Sequence, residues 1–411
     1  MEEAAGDATG RSRAEDHAER RRKNAEPPDV ESGGVAGEQD RGSRGAAAVS
    51  EADAGDRRVW DPRTEAGRGW LRAHRTKVVA ACCGVLLLPA GALKDTLLLW
   101  QRPPVVTAQA SVRRAEAIPN VWLVEQKEEQ EEYSNGLRVE RRYEIGNEPR
   151  QFEVYPRGAE SAGSGQPRTA PAGIVFHTTE SAQSEFAPGE TKRMRVIGAA
   201  LLEFVRQERA YHYLVDRFGR VWRIVRESDA ANHAGYSVWA DGQWTYIGLN
   251  RAFLGVSVEA RTEPGATKPE ATPAQIHALR VLTEMLRSKY RIAAPNCVTH
   301  AQVSVNPSNM QAGYHYDWAA GFPFAQAGLP DNYAAAVPSL WLFGFTYDPS
   351  LVNVTGEPFW KGLVLGEELL RQNATAHGMS VTAYRSALEK RFRGLLSTLK
   401  ANQQQVKEKE G

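Results

Sequence analysis

The chain has 411 residues, of which 42% are hydrophobic and 25% charged, and its formal net charge at pH 7 is +1. This length predicts two or three domains, and a net charge near zero argues against a general affinity for nucleic acid. The three cysteines are too few for a disulfide framework.

The first 77 residues are dense in charged side chains, glycine and alanine, and contain few large apolar side chains. Such a segment cannot bury enough apolar surface to offset the entropy lost on ordering. We therefore expect residues 1–77 to be disordered. They would either remain in the cytoplasm or precede the native start of the protein.

An apolar segment, residues 78–100, follows a basic flank. Its continuous apolar part, residues 78–93, has sixteen residues, whereas a membrane-spanning helix needs about 20. This length is typical of a signal peptide or a short signal anchor, and Ala90-Gly91-Ala92 matches a cleavage site. In both cases the basic flank stays in the cytoplasm. We therefore predict an extracytoplasmic protein, periplasmic or at the cell surface, that is secreted or attached to the membrane through residues 78–100.

Residues 101–165 are predicted to form a linker and a small β-rich segment. Pro103-Pro104 begins the linker, and Asn135-Gly136 is typical of the two-residue turn of a β-hairpin. One hairpin strand ends near Tyr133, and alternating apolar residues from Leu137 onward indicate the other.

Residues 166–330 alternate between strand and helix patterns. In chain order the patterns predict a strand at 173–177, a helix at 192–209, hairpin strands at 211–215 and 221–225, a core strand at 253–260, a helix at 273–290 and a strand at 297–300. Thr272-Pro273 begins the second helix as N-cap and first helical residue. This order predicts one α/β domain with a single mixed β-sheet flanked by helices. A helical C-terminal extension, residues 331–411, follows.

Histidines mark the strand ends and loops of this predicted domain. The five are His177, His212, His233, His300 and His315. His177 and His300 each end an apolar run, and imidazoles at the ends of core strands can point metal ligands into a cleft. For any one of them a hydrogen-bonded structural histidine is the plainer interpretation. Together they favour a catalytic zinc (Zn2+) site, which needs three protein ligands and one open position.

Five motifs follow one another between residues 170 and 320. They are His177-Thr178-Thr179; residues 211–225; Asn232-His233-Ala234-Gly235-Tyr236-Ser237; residues 255–259; and Thr299-His300 with Tyr316-Asp317-Trp318. In this order they resemble the zinc-dependent N-acetylmuramoyl-L-alanine amidases of the peptidoglycan-recognition superfamily. The resemblance implies that family's α/β fold. It also implies a zinc hydrolase that cuts the amide between N-acetylmuramic acid and L-alanine in peptidoglycan or muropeptides.

The resemblance also implies metal ligands. His177 matches the first zinc ligand of the family and His300 the second. Counting back from Asp317, the place of the third ligand, usually Asp or Cys, is held by Gln311, and a neutral amide is a poor zinc ligand. Because His315 lies close by and imidazole binds zinc well, we predict His315 as the third ligand.

Catalytic residues are less directly implied. The acidic general base of the family aligns with Ser257, but Glu259 is two residues further along the same strand and shares its face. We therefore predict Glu259 and His233 as the catalytic residues that move protons. The plainer alternatives are a solvated strand-end carboxylate for Glu259 and a structural hydrogen bond for His233.

Substrate contacts are predicted at three positions near the proposed cleft, namely His212, Tyr236 and Tyr314. Tyrosine combines an apolar ring with a hydroxyl group and therefore suits sugar and peptide ligands. Two other functions remain open: a peptidoglycan-binding receptor on the same fold without catalysis, and a zinc hydrolase of another N-acyl amide. The absence of Asp or Cys at position 311 favours the receptor.

Overall fold

The computed structural model describes residues 117–161, 163–262, 271–347 and 349–410, the side chains of 402–410 excepted. The predicted disordered region, residues 1–77, and the apolar segment, residues 78–100, lie outside the described residues. Among the residues that are described, none of the helices is both long and apolar enough to cross a membrane.

The described residues contain fifteen strands and eight α-helices. The strands are β1 (Leu123–Gln126), β2 (Gln130–Tyr133), β3 (Arg138–Glu140), β4 (Phe152–Pro156), β5 (Gln166–Arg168), β6 (Gly173–Thr178), β7 (Tyr213–Val215), β8 (Val221–Arg223), β9 (Val238–Ala240), β10 (Trp244–Ile247), β11 (Phe253–Val258), β12 (Cys297–Thr299), β13 (Val305–Asn306), β14 (Gln311–Ala312) and β15 (Thr346–Tyr347). The helices are α1 (Thr191–Gln207), α2 (Leu249–Ala252), α3 (Pro273–Tyr290), α4 (His300–Val303), α5 (Pro338–Phe343), α6 (Pro349–Val354), α7 (Glu357–Ala376) and α8 (Val381–Glu410).

The main sheet has eight strands in the order β1-β2-β3-β8-β7-β11-β6-β12. Strands β7, β11, β6 and β12 run parallel to one another, and β8 runs antiparallel to β7. All six residues of β6 and of β11 are buried, as expected for central parallel strands covered on both faces. The carboxyl ends of β6, β11 and β12 therefore meet at one edge of the sheet.

Helices cover both faces of this sheet. On one face Leu279 and Leu282 of α3 join Phe176 in the largest hydrophobic core. On the other face Leu202 of α1 packs with Leu214 of β7. Because side chains alternate along a strand, Phe176 faces α3, whereas its neighbour His177 faces the opposite side.

The predicted helices and hairpins are confirmed, because their signals are local. Helix α3 begins with a capping box, in which Thr272 accepts from the Gln275 N–H and the Gln275 side chain accepts from the Thr272 N–H. The β2–β3 turn contains Gly136 at φ 84°, and the β7–β8 turn contains Gly219 at φ 78°. A side chain at Gly219 would also meet the Ala274 carbonyl oxygen at 2.7 Å.

The mixed α/β architecture is confirmed, but the expectation of a single sheet is wrong. A second sheet has the order β5-β4-β10-β9, and a third has the order β13-β14-β15. Strands β1 to β3 of the predicted β-rich segment belong to the main sheet, whereas β4 of the same segment belongs to the second. A local pattern predicts that a segment is extended, whereas its pairing partner depends on tertiary packing.

The C-terminal residues are mainly helical, as α5 to α8 show. Phe392 of α8 contacts Phe343 and Phe345, with ring centroids 5.2 and 4.9 Å apart. Arg385 donates to the carbonyl oxygens of Gly344 and Phe345 at 3.1 and 2.6 Å. These contacts attach α8 to the end of α5 and to the two residues that follow it.

Candidate metal centre

Two adjacent parallel strands bring His177 and His300 together. His177 is the fifth residue of β6, and His300 is the first residue after β12. A capping box between Thr299 and Gln302 ends β12 and begins α4 at His300. The two imidazole centroids lie 4.4 Å apart with their planes at 59°. The predicted meeting of these two rings is therefore observed.

Asp317 completes a group of three potential metal ligands. Its Oδ2 lies 3.0 Å from His177 Nδ1, and its Oδ1 lies 2.8 Å from His300 Nδ1. One ligand atom from each of the three residues lies within 4.8 Å of the others, and all three residues are buried. Two imidazole nitrogens and one carboxylate oxygen are a donor set that zinc accepts. The residues present therefore fit a zinc ion.

The loop that carries Asp317 is held from several sides. The Asp317 carbonyl oxygen accepts from the Ala301 N–H at 3.3 Å. Trp318 adopts the left-handed conformation at φ 56°, and its carbonyl oxygen accepts from the Tyr333 hydroxyl at 2.7 Å. The Trp318 ring packs edge-on against Phe322 at 5.3 Å. The carboxylate is therefore placed by a packed loop.

The electrostatics of the group suit a cation. Burial lowers the pKa of His177 to about 4, with repulsion from His300 adding to it. Burial acts to raise the pKa of Asp317, but His300 and His177 outweigh it and hold that pKa well below its usual range. Neutral His177 beside ionised Asp317 at neutral pH is the protonation state that binds a metal ion.

The predicted third ligand, His315, lies outside this group. Its exposed ring stacks on His300, with centroids 4.7 Å apart and planes at 20°. The lone pairs of two such rings lie in nearly parallel planes, so they do not converge on one ion. Gln311, the aligned position, is in β14, where its side-chain oxygen accepts from Asn309 at 2.7 Å. The third potential ligand of the group is Asp317, whereas we predicted His315, and the assignment of the third ligand stays a prediction.

From the sequence, Asp317 served only as a landmark of the family and was not considered as a potential metal ligand. A signal was present, because Asp317 is the first acidic residue after His300. A carboxylate seventeen positions beyond a ligand histidine can return to the metal if the intervening residues form a hairpin. Strands β13 and β14 form that hairpin, pairing Val305 with Ala312 and Asn306 with Gln311.

His233 touches the far side of His177. Its Nδ1 lies 3.1 Å from His177 Nε2, and its ring lies over Gly255, where an added Cβ would come within 2.5 Å of Cγ. Asn250 Oδ1 accepts the N–H groups of His233 and the next two residues at 3.0, 2.6 and 3.1 Å. This geometry lets His233 orient a metal ligand. Its predicted role in proton transfer stays a prediction.

His212 is fully buried beneath the site. Its Nδ1 accepts from the Gly255 N–H at 2.9 Å, and its Nε2 lies 3.1 Å from the Asp229 carbonyl oxygen. Arg150 Nη2 lies 2.6 Å from the same nitrogen. Both ring nitrogens are therefore engaged inside the protein. His212 immediately precedes β7 and is fully buried. Its predicted substrate contact stays a prediction.

Glu259 follows β11 and is only 2% exposed. Its Oε2 accepts from the Arg217 N–H at 3.1 Å, and Gly198 of α1 lies against the carboxylate. Burial raises the pKa of Glu259 to about 7. Ser257, which pairs with His177 across β6 and β11, is fully buried, and its hydroxyl has no hydrogen-bond partner within the described ranges. The predicted role of Glu259 as general base stays a prediction.

A cavity of about 230 Å³ opens beside Asp317. Its walls are formed by Glu180, Thr262, Tyr314, His315, Tyr316, Asp317 and Val354. Tyr314, predicted as a substrate contact, is 54% exposed in this wall. Tyr236, the other predicted tyrosine, is exposed near His233, and the Lys400 ammonium lies 5.4 Å from its ring centroid.

A larger cavity, of about 470 Å³, lies at the opposite edge of the sheet. Its walls include Arg223 and Lys289, but their charges are already paired. Arg223 binds Glu131 at 2.6 Å, and Lys289 binds Glu227 at 2.5 Å. The smaller cavity, in contrast, is lined by Asp317, one of the three potential ligands.

Part of the chain is similar to known proteins. Residues 167–315 match the sequence profile of the family described as N-acetylmuramoyl-L-alanine amidase. The chain is 34% identical over 104 residues to the N-acetylmuramoyl-L-alanine amidase AmiD of Escherichia coli (strain K12). That match covers 23% of this chain and 36% of AmiD, so the chain spans about a third of the length of this curated relative.

Two solved amidase structures are also similar. One is AmiD from Escherichia coli with anhydro-N-acetylmuramic acid-L-Ala-D-gamma-Glu-L-Lys, at 22% identity and a TM-score of 0.31, over 49% of this chain and 89% of that chain. The other is AmpDH3 from Pseudomonas aeruginosa with anhydromuramic pentapeptide, at 23% identity and a TM-score of 0.30, over 40% and 64%.

The resemblance noted in the sequence is therefore confirmed at the level of the family. Residues 167–315 are similar to the N-acetylmuramoyl-L-alanine amidase family, and the match covers about a third of the chain. His177 and His300 lie inside the matched range, whereas Asp317 lies two residues beyond its end.

Proposed function

We propose that the protein is a zinc-dependent hydrolase that cuts the amide between N-acetylmuramic acid and L-alanine in peptidoglycan. The setting would be cell-wall turnover or remodelling. The observation that supports this most is the convergence of His177, His300 and Asp317 within 4.8 Å. They lie at the edge of a sheet whose residues match the amidase family.

The roles of the residues follow from their contacts. His177, His300 and Asp317 would hold the zinc ion. Zinc, when bound, supplies Lewis acidity that polarises an amide carbonyl. It also lowers the pKa of water, so that water can lose a proton near neutral pH and become a stronger nucleophile. The three side chains are buried, so little water competes for them. His233, held by Asn250, would keep the His177 ring in place through Nε2.

The substrate would lie in the cavity beside Asp317. Tyr314 and Tyr316 give its wall apolar rings with hydroxyl groups, and Thr262 adds a further polar residue. Such walls suit a ligand that joins a sugar to a peptide. We keep Tyr236 as a proposed contact, because its exposed ring lies close to His233 in the chain.

Of the two other functions, the receptor loses its main support. That interpretation depended on the missing Asp or Cys at position 311, and Asp317 now supplies a carboxylate to the group. A zinc hydrolase of another N-acyl amide would use the same ligands. It differs from our proposal only in the substrate.

The experiment uses the full chain, loaded with zinc and incubated with purified sacculi and with anhydromuropeptides. We expect release of stem peptides with an N-terminal L-alanine, detected by mass spectrometry. A chelator should abolish this release and added zinc should restore it. Binding to sacculi without release would favour the receptor. Hydrolysis of other N-acyl amides alone would favour the second alternative, and digestion by metal-free protein would overturn the zinc site.

We also propose an extracytoplasmic location, with attachment to the membrane if residues 78–100 are retained. The support is the apolar segment behind a basic flank. N-terminal sequencing of the native protein, combined with fractionation of cells, tests this. A native protein found in the cytoplasm with residues 78–100 intact would overturn it.

A further inference from the structure

Glu180 places a carboxylate in the wall of the cavity beside Asp317. It follows His177 by three residues, where the chain leaves β6. Its backbone is left-handed at φ 51°, a conformation that non-glycine residues seldom adopt. Such a conformation persists when surrounding contacts enforce it. Here the Glu180 N–H donates to the Ala260 carbonyl oxygen at 3.2 Å.

Hydrogen bonds hold the Glu180 side chain in one position. Its Oε1 accepts from the Thr262 N–H at 2.9 Å and from the Thr178 hydroxyl. Thr178 Oγ1 also lies 3.1 Å from Thr262 Oγ1. Both bonds use Oε1, so Oε2 is left for a ligand in the cavity. A carboxylate that is held in place and keeps one oxygen for a ligand can act as a proton acceptor.

The other carboxylates near the site are less suited to this task. Asp317 presents both of its oxygens to imidazole nitrogens. Glu259 is buried and accepts from the Arg217 N–H, on the side where α1 covers it. The residue beside His177 on β11 is Ser257, which has no carboxylate. Glu180 is exposed and lines the same cavity as Asp317.

We propose that Glu180 is the proton acceptor in the amide hydrolysis, an inference that rests on the proposed function. An O–H bond of the attacking water breaks, and its proton passes to Glu180 Oε2. The electron pair released on the water oxygen forms the new bond to the amide carbon. The C–N bond then breaks, and the proton passes from Glu180 to the amine nitrogen. The net change is amide plus water to carboxylic acid plus amine, with Glu180 regenerated.

The test compares Glu180→Gln with a matched control, Glu185→Gln, in the full zinc-loaded chain. Glu185 is an exposed glutamate of the same loop and does not line the cavity. The kcat of Glu180→Gln on anhydromuropeptides should fall by about 100-fold or more, with KM unchanged. Glu185→Gln should match the wild type in both parameters.

Measurements other than activity separate this role from a structural one. Glutamine keeps an oxygen that accepts from the Thr262 N–H, so the thermal midpoint and zinc content of Glu180→Gln should equal those of the wild type. Calorimetry should give metal-free wild type and variant the same Kd for the muropeptide.

Four results would overturn the inference. If Glu180→Gln retains the wild-type kcat and KM, Glu180 is not the proton acceptor. If its KM rises while kcat is unchanged, Glu180 acts in substrate binding instead. Loss of zinc assigns it to the metal centre. An inactive wild type with a full zinc content overturns the proposed function and this inference together. The first three leave the proposed function standing.

Discussion

Asp317 is the residue on which the proposed metal centre depends most. Each carboxylate oxygen faces a different imidazole, at 3.0 and 2.8 Å. Without it, two buried rings would face each other with no anion between them, and the cation would lose both a ligand and a compensating charge. His315 contributes in another way, because its ring covers one face of His300.

Replacing Asp317 by alanine should therefore abolish zinc binding, whereas His315→Ala should keep a full zinc content. Loss of a residue that hydrogen-bonds a metal ligand typically lowers metal affinity 10- to 100-fold. Loss of the ligand itself should lower the affinity at least about 100-fold. Zinc content after dialysis, and competition with a chromogenic chelator, measure both variants. If His315→Ala loses zinc while Asp317→Ala keeps it, the ligand set predicted from the sequence is right and the one derived from the structure is wrong.

The sequence predicted part of this centre. His177 and His300 could be found because each ends an apolar run that a buried strand requires. Asp317 carries a weaker signal as the first acidic residue after His300, because its approach to the two rings depends on the β13–β14 hairpin, which was not predicted. His212 resembled a cleft residue, but its burial follows from the packing of Arg150 and Gly255 around it, which the local sequence does not contain.

Among the elements, β11 needs a residue without a side chain at position 255. The His233 ring occupies the space where a Cβ would stand, with Cγ at 2.5 Å and Cβ at 2.9 Å. The Gly255 N–H also donates to His212 at 2.9 Å. This strand therefore supports both histidines that lie behind the metal ligands.

Gly255→Ala should destabilise the protein and move His233 away from His177. Overpacking of a closely packed site costs about 1–3 kcal/mol, and a displaced His233 should weaken zinc binding by roughly 10-fold or more. The control is Gly242→Ala, where an added Cβ meets nothing within 4 Å. Urea unfolding and zinc titration compare the two. Equal stability and zinc affinity in both variants would show that the ring moves without cost and does not position His177.

Helices and strands with local sequence signals could be predicted, whereas the strands that pair with one another in the sheet could not. Helix α3 could be placed because Thr272 and Pro273 mark its start and its apolar side chains repeat with helical spacing. The parallel pairing of β3 with β8 joins residues about eighty positions apart. No turn fixes that register, so the segment before residue 166 could not be assigned to the main sheet from its own pattern.

At the scale of the whole molecule, Glu259 joins elements from three parts of the chain. Its carbonyl oxygen accepts from Gln275 Nε2 of α3 at 3.0 Å, and its carboxylate accepts from the Arg217 N–H after β7. Gly198 of α1 packs against the same carboxylate. A charge in this position is costly, because the surrounding elements exclude water.

This burial makes the stability of the whole fold depend on pH. Burial, with the Asp216 charge adding to it, raises the pKa of Glu259 from 4.5 to about 7, although Arg217 opposes the shift. The folded state therefore holds the proton more tightly than the unfolded chain. The stabilisation is fully present below about pH 4.5 and is lost as the pH rises through about 7. The difference between the pKa values of Glu259 in the folded and unfolded states corresponds to a stabilisation of about 3 kcal/mol at most.

Glu259→Gln should remove this dependence, since the amide cannot ionise and its oxygen still accepts from the Arg217 N–H. Between pH 5 and pH 8 the free energy of unfolding of the wild type should fall relative to that of the variant. Urea unfolding of both proteins at the two pH values isolates the contribution, because other titrating groups act equally in both. If the free energies of unfolding of the two proteins change equally with pH, the Glu259 carboxyl ionises at its ordinary pKa. Water would then reach it between α1 and β11.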